Sequence, residues 1–205
     1  MKGFILHITQ AKDEDIILTI LTPNRVIDYY RFYGSRHSVL QLGYLIDFEE
    51  EESRGRFLPR LRGVTHIGFS WLIDMNRLMI WHKLIKLFHI HLRDTEDIDS
   101  FYFDILLNST KKWSVQNPKR IVCEVAYSVL EYEGRLYPAK RCYICNGVLG
   151  EKISLMSALK LAHPECIYAP YISFENFKKF FESGKTTWLD DKEVNVIYSS
   201  VIKGF

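Results

Sequence analysis

Cys142 and Cys145 stand two residues apart, and after seventeen more residues His163 and Cys166 repeat that spacing. Two pairs of soft ligands on either side of a loop can close a tetrahedron around Zn2+, the geometry of structural zinc sites. Four protein ligands leave no coordination position for water, so the expected site clamps a loop and performs no chemistry. The alternative reading, buried thiols beside a surface histidine, accounts less well for two pairs at knuckle spacing. A disulfide is the weaker alternative in a chain expected to stay inside the cell. Cys123 falls inside an expected helix and reads as a small core residue.

A second constellation is basic and aromatic. Tyr29, Tyr30, Arg31, Phe32, Tyr33, Gly34, Ser35, Arg36 and His37 run consecutively, and Arg60 and Arg62 alternate with Leu61 and Gly63. Aromatic faces stack on bases while guanidinium groups neutralise phosphates, the combination used for sequence-tolerant capture of single strands. On a strand, Arg60 and Arg62 share one face. Strands rich in Tyr and Phe also pack cores, so at most two of these rings are expected to touch bases. The candidate DNA-binding residues are Arg31, Arg36, His37, Arg60 and Arg62.

Charge limits where such a site can be. The formal net charge is only +2, so nucleic acid must be met by a local patch. Residues 1–70 hold nine Lys/Arg against nine Asp/Glu, with the acids concentrated at 13–15 and 49–52. That segregation predicts that Arg31, Arg36, Arg60 and Arg62 are left to form a patch, with 49–52 an exposed loop. Phosphate-cradling glycine loops, G-x-S-x-G and H-E-x-x-H are absent from the sequence, so no enzyme class is indicated. His89 and His91, two apart, fall on different helix faces and read as solvated or capping residues.

These residues need elements to position them. The first 70 residues give β-rich runs at 3–9, 16–21, 25–33, 42–48 and 57–69, separated by Thr22-Pro23-Asn24, Gly34-Ser35 and the 49–53 segment. Five short strands of this length predict a small closed barrel. From about Trp71, apolar residues recur three and four apart, which predicts a helix. Further helices are expected over 98–112, over 118–132 opened by Pro118 and stopped by Gly134, over 174–182 capped by Ser173, and over 192–202 capped by Asp190 or Asp191. The expected organisation is α+β: an oligonucleotide-binding-fold (OB-fold) barrel at 1–70, then a helical domain at 71–205 carrying a zinc-ribbon-like insert at about 135–168.

The N-terminal apolar stretch is short and breaks into charge, predicting no signal peptide. The apolar run at 72–92 is interrupted by Asp74, Arg77, Lys83 and Lys86, which predicts no membrane span. At 47% hydrophobic and 25% charged residues, the chain has material for a packed core throughout.

In this order of parts, several stretches carry a resemblance: Gly3-Phe4-Ile5-Leu6, Asp13-Glu14-Asp15-Ile16-Ile17-Leu18 with Thr22 to Arg25 after it, Gly34-Ser35-Arg36-His37, Glu124, Gly134, and the Cys142, Cys145 pair. On these residues the sequence resembles the RecO family across nearly its whole length. Typical members carry two arginines or lysines where this chain has Arg36 and His37. They also carry two cysteines where it has His163 and Cys166, a substitution that zinc accepts.

The resemblance implies an OB-fold, a helical domain and, where the cysteines are kept, a zinc insert. It also implies a recombination mediator in DNA repair, cytoplasmic and nucleoid-associated. Such a protein binds single-stranded DNA, anneals complementary strands and, with RecR, helps load RecA onto DNA coated by single-stranded-DNA-binding protein. That protein's acidic, aromatic-ended tail is expected on the helical domain, at a rim formed by Arg120 with Lys119 or Lys112 beside Trp113. A different class, a zinc-stabilised protein–protein adaptor without direct DNA binding, is separated from this reading by salt dependence.

Overall fold

The computed structural model describes residues 1–53, 57–137 and 140–205; residues 138 and 139, within the expected insert, lie outside the described set. Two compact units divide the chain, Met1–Ser114 and Val115–Phe205.

In the first unit, β1 (Lys2–Gln10), β2 (Ile16–Leu21), β3 (Val26–Arg31), β4 (Leu45–Glu51) and β5 (Arg60–Ile67) close a barrel in the order β1-β2-β3-β5-β4. The meander β1-β2-β3 is antiparallel, and the seam between β3 and β5 is parallel, with Tyr30 opposite Arg60. This is the five-stranded Greek-key arrangement of an OB-fold. Alternation sends Ile5, Leu18, Ile20, Tyr29, Ile46, Phe48 and Leu61 into one core.

β1 is apolar on both faces because both are covered. Ile5 enters the barrel, while Phe4 on the other face meets Trp81 at 5.9 Å and Phe103 at 5.5 Å between ring centroids. Trp81 belongs to α1 (Met75–His91) and Phe103 to α2 (Phe101–Lys112). Helix α1 starts later than the expected Trp71 because the Asp74 carboxylate accepts the N–H groups of Asn76 and Arg77 and fixes the N-cap there. Trp71, Trp81 and Trp113 pack as a cluster at 5.0–5.7 Å. Each indole N–H is satisfied by a backbone carbonyl, Trp81 by Gly43 at 2.8 Å. A Cβ on Gly43 would fall 2.5 Å from the Trp81 ring nitrogen, and its φ is +79°, so glycine is required there. Helix α2 begins at Phe101 and not at 98. Ile98 instead donates its N–H to the Asn24 carbonyl, and Asp97 bridges Arg25, pinning that segment to the barrel.

In the second unit, α3 (Pro118–Tyr132) starts on Pro118 with Asn117 as N-cap and ends before Gly134, whose φ of +65° lets Arg135 donate back to the Leu130 carbonyl. Its apolar face, including Ile121, Val125 and Val129, is buried, as are Val194, Ile197 and Val201 on α6 (Asp191–Val201), the helix against which it packs. Between them come β6 (Lys152–Leu155), β7 (Leu161–Ala162), the single-turn α4 (Pro164–Ile167), β8 (Ile172–Ser173) and α5 (Phe174–Ser183). β6 is the middle strand of the order β7-β6-β8. Ser173 caps α5, and Asp190 caps α6 in a reciprocal capping box with Glu193. No described helix is long and apolar enough to cross a membrane.

Candidate functional site

On the barrel, the end of β3 and the turn after it present the aromatic run. Tyr29 is buried in the core, where its hydroxyl donates to Glu50 at 2.7 Å. Burial, reinforced by that carboxylate, pushes its phenol well above the usual range. Tyr30 is half-buried and donates to Asp15. Phe32 and Tyr33 project into solvent at 44% and 59% exposure.

Tyr33 sits in the left-handed region at φ 50°, an uncommon conformation for a bulky residue. Asp15 offsets that strain by accepting the Tyr33 N–H at 2.7 Å as well as the Tyr30 hydroxyl. The two bonds, the Tyr30 hydroxyl first, hold the Asp15 carboxyl below its ordinary range. Gly34 then passes so close to Ile16 that a Cβ would lie 2.3 Å from its side chain.

Guanidinium groups cover both exposed rings: Arg60 lies 5.1 Å from the Phe32 centroid and Arg36 lies 5.4 Å from that of Tyr33. The alternation along β5 holds, with Arg60 and Arg62 exposed and Leu61 buried. His37 is exposed, following the short 3-10 turn Gly34–Arg36. Arg31 is half-buried, and its Nη1 donates to the Leu61 carbonyl at 2.7 Å across the β3–β5 seam.

Folding undoes the charge segregation expected from the sequence. The 49–51 segment is strand rather than loop, and its carboxylates reach across to the arginines. Glu51 pairs with Arg62 at 2.6 Å and Glu50 with Arg25 at 2.6 Å, while Glu14 pairs with Arg36. Arg62 in turn holds the Glu51 carboxyl below its usual range. The pairs at Arg36 and Arg62 are exposed, and exposed pairs contribute only about 0–1 kcal/mol, which a phosphate can exchange for. His89 also differs from the solvated role expected: it is half-buried and stacks on His7 with centroids 4.4 Å apart.

In the second unit, the ligand atoms of Cys142, Cys145, His163 and Cys166 lie within 4.8 Å of one another, and all four cysteines of the chain are free thiols. The Cys142–Asn146 turn is a knuckle: Asn146 donates to the Cys142 carbonyl at 2.9 Å and has φ 57°. A Cβ on Gly147 would meet His163 at 3.3 Å and the Cys145 sulfur at 3.4 Å, a tight approach that glycine relieves. His163 turns Nδ1 toward the Cys145 sulfur at 3.3 Å and sets Nε2 2.9 Å from the Val148 carbonyl. Such an outer partner orients a metal-bound imidazole and fixes its tautomer. Although burial opposes it, the backbone N–H groups of Cys145, His163 and Ile144 bring the Cys142 thiol down to about 6. Burial and the neighbouring sulfurs push Cys166 up to about 11. Soft donors, a fixed imidazole and converging sulfurs fit a tetrahedral metal ion, and the cluster can hold one.

The remaining candidates are engaged in the fold. Trp113 is fully buried in the tryptophan cluster of the first unit, next to the exposed Lys112. Arg120 in the second unit donates to the carbonyls of Thr186 and Leu189 at 2.6 and 2.9 Å and pairs with Asp191 at 2.8 Å, with its side chain only 20% exposed. One turn on, Glu124 accepts both the N–H and the hydroxyl of Thr186. Lys119 donates to Asn195 at 2.6 Å and lies over the Tyr198 ring. Sequence reasoning missed the Arg60–Phe32 contact, the Val148 carbonyl behind His163 and the half-buried Tyr29–Glu50–Arg25 chain. The Arg60–Phe32 contact joins residues far apart in sequence, and the other two depend on groups that carry no motif.

A closed five-stranded barrel with paired exposed rings and guanidinium groups, in a chain that also has a Cys3His cluster able to hold a metal ion, defines an OB-fold protein with a candidate metal site in its second unit. Residues 1–72 match the family described as RecO N terminal. That match covers the barrel and ends before the second unit, so it is the N-terminal part of the chain that is similar to the RecO family. No curated protein matches the chain.

Proposed function

We propose that this protein is a recombination mediator that binds single-stranded DNA on the barrel face formed by Phe32, Tyr33, Arg36, Arg60 and Arg62, with His37 at its margin. The observation that carries the reading is the pairing of two solvent-facing rings with two guanidinium groups, since stacking surfaces beside phosphate-binding cations are what a flexible strand requires. Residues 1–70 serve as the nucleic-acid domain and the later residues as the platform for protein partners. Arg31 contributes by holding the barrel seam.

The activity is competitive binding with no covalent step. The strand is taken by the barrel, complementary strands are annealed, and with RecR the protein helps RecA replace single-stranded-DNA-binding protein. The acidic tail of that protein docks on the helical part. Of the basic residues considered for it, Lys112 makes no ion pair with any described residue, while Arg120 would have to exchange Asp191 for the ligand.

Zn2+ held by Cys142, Cys145, His163 and Cys166 supplies fold energy to the insert. Work in the cytoplasm at the nucleoid completes the reading.

Fluorescence anisotropy with labelled homopolymeric oligonucleotides over a salt series tests the function. Affinity should fall with salt at a slope of about 0.7 per phosphate contacted and change little between base compositions. Salt-independent binding, or none, would favour an adaptor that recognises protein instead.

A further inference from the structure

We infer that the metal-binding unit carries its own groove for single-stranded nucleic acid, lined by Tyr137, Lys140, Arg141, Tyr143 and Lys160. The groove encloses about 700 Å³ beside the Cys142 knuckle, and no carboxylate is among the residues that line it. Residues 135–161 carry five Lys/Arg against one carboxylate, Glu151. A zinc ion with three thiolates would add only one negative charge. The excess therefore remains cationic with the metal bound.

Tyr137 and Tyr143 are 81% and 61% exposed. Lys160 lies 4.5 Å from the centroid of the Tyr143 ring and 3.4 Å from its hydroxyl. Among the described residues Lys140 makes no ion pair, and the Arg141 guanidinium reaches only a backbone carbonyl, that of Asn146 at 3.0 Å. A backbone carbonyl leaves that positive charge uncompensated. The floor is Leu161, buried, with Phe181 beside it.

A phosphate alone would fill a small part of this volume and leave the rings unused. Cations spaced along a groove with exposed aromatic faces suit a polyanion whose bases are free to stack, and bases within a duplex are not. The backbone at 141–143 is tied down by hydrogen bonds: the Cys142 N–H donates to Gly147, the Tyr143 N–H donates to Leu161 in β7, and Arg141 bridges Val148. Resting on the proposal that the barrel holds one strand, this groove holds a second, so that annealing has a surface for each partner.

The test is photocross-linking of the full-length, metal-loaded protein to a bromodeoxyuridine-substituted oligonucleotide, followed by peptide mapping. Adducts at Tyr143 or Tyr137 are expected. Adducts confined to residues 1–114 would overturn the groove while leaving the barrel reading intact, and adducts confined to residues 115–205 would support the groove and overturn the barrel. In parallel, Lys140→Ala with Lys160→Ala, at unchanged metal content and melting temperature, should weaken oligonucleotide binding on the order of tenfold near 0.1 M salt and reduce the salt slope by about 1.4. Tyr143→Leu should lose affinity that Tyr143→Phe retains. Unchanged oligonucleotide affinity in the double variant, with weakened binding of an acidic peptide, would make this a peptide groove and sink the proposal.

Discussion

The Nε2 of His163 lies 2.9 Å from the carbonyl oxygen of Val148, which leaves Nδ1 facing the sulfur of Cys145. One backbone carbonyl therefore selects which imidazole nitrogen can serve a metal. It also joins the two halves of the loop even before an ion is considered.

Protein purified without chelator should contain about one equivalent of zinc. Less than roughly a tenth of an equivalent, where one tetrahedral site requires one, would remove the metal from the description. His163→Cys should keep the metal because thiolate is an equally good ligand, whereas His163→Ala should lose most of it. Elemental analysis with a thermal melt of each variant reads both effects.

On the barrel, Phe32→Ala and Tyr33→Ala should each weaken single-strand binding by about 1–3 kcal/mol if a base stacks there. The Arg36, Arg60, Arg62 triple alanine variant should lose affinity for all sequences alike and show a shallower salt dependence. The carboxylates make a prediction of opposite sign. Glu14→Gln and Glu51→Gln free Arg36 and Arg62 from their partners and should tighten binding. Weaker binding in these two variants, with the fold intact, would show that the ion pairs position the arginines instead of competing for them.

Arg120→Ala should act on stability. Its guanidinium satisfies two carbonyls and a carboxylate while mostly buried, and its loss leaves those acceptors without that donor. A cost of about 2 kcal/mol and a fall in Tm of roughly 4–8 °C are expected. Calorimetric binding of an acidic tail peptide to the variant below its Tm separates this from a partner role. Binding lost at intact fold would make Arg120 a contact.

The first unit should be acid-sensitive. Burial lowers the affinity of His66, His82 and His89 for protons, so the folded state binds fewer protons than the unfolded chain once pH drops below about 6.5. For groups whose folded pKa is depressed, the contribution is complete above the unfolded value and is lost as pH falls through the folded one. Melting temperature should therefore decline from pH 7.5 to 5.5, and replacing the three histidines with glutamine should flatten that decline. An identical slope in the variant would assign the acid response to other groups.

Local chemistry was enough to locate most elements. β-rich runs set off by turn formers in the first 70 residues, Pro118 and Gly134 around α3, and Ser173 and Asp190 ahead of α5 and α6 state their roles through backbone geometry within a few residues. The metal ligands were legible for the same reason: a knuckle fixes the distance between Cys142 and Cys145 by its own turn. What sequence could not give was pairing between strands. The acidic run at 49–51 looks like a solvated loop when read along the chain, but cross-strand register sets Glu51 opposite Arg60 and next to Arg62. In the same way, Arg120 is expected at the rim of a partner groove. Tertiary packing ties it to the carbonyls of a turn more than sixty residues away, and encloses Trp113 among two other tryptophans. Sequence determined which backbone most segments would form, because that depends chiefly on neighbours along the chain. Only the fold decided which charges and rings stay exposed to bind a ligand, because desolvation and ion pairing depend on neighbours in space.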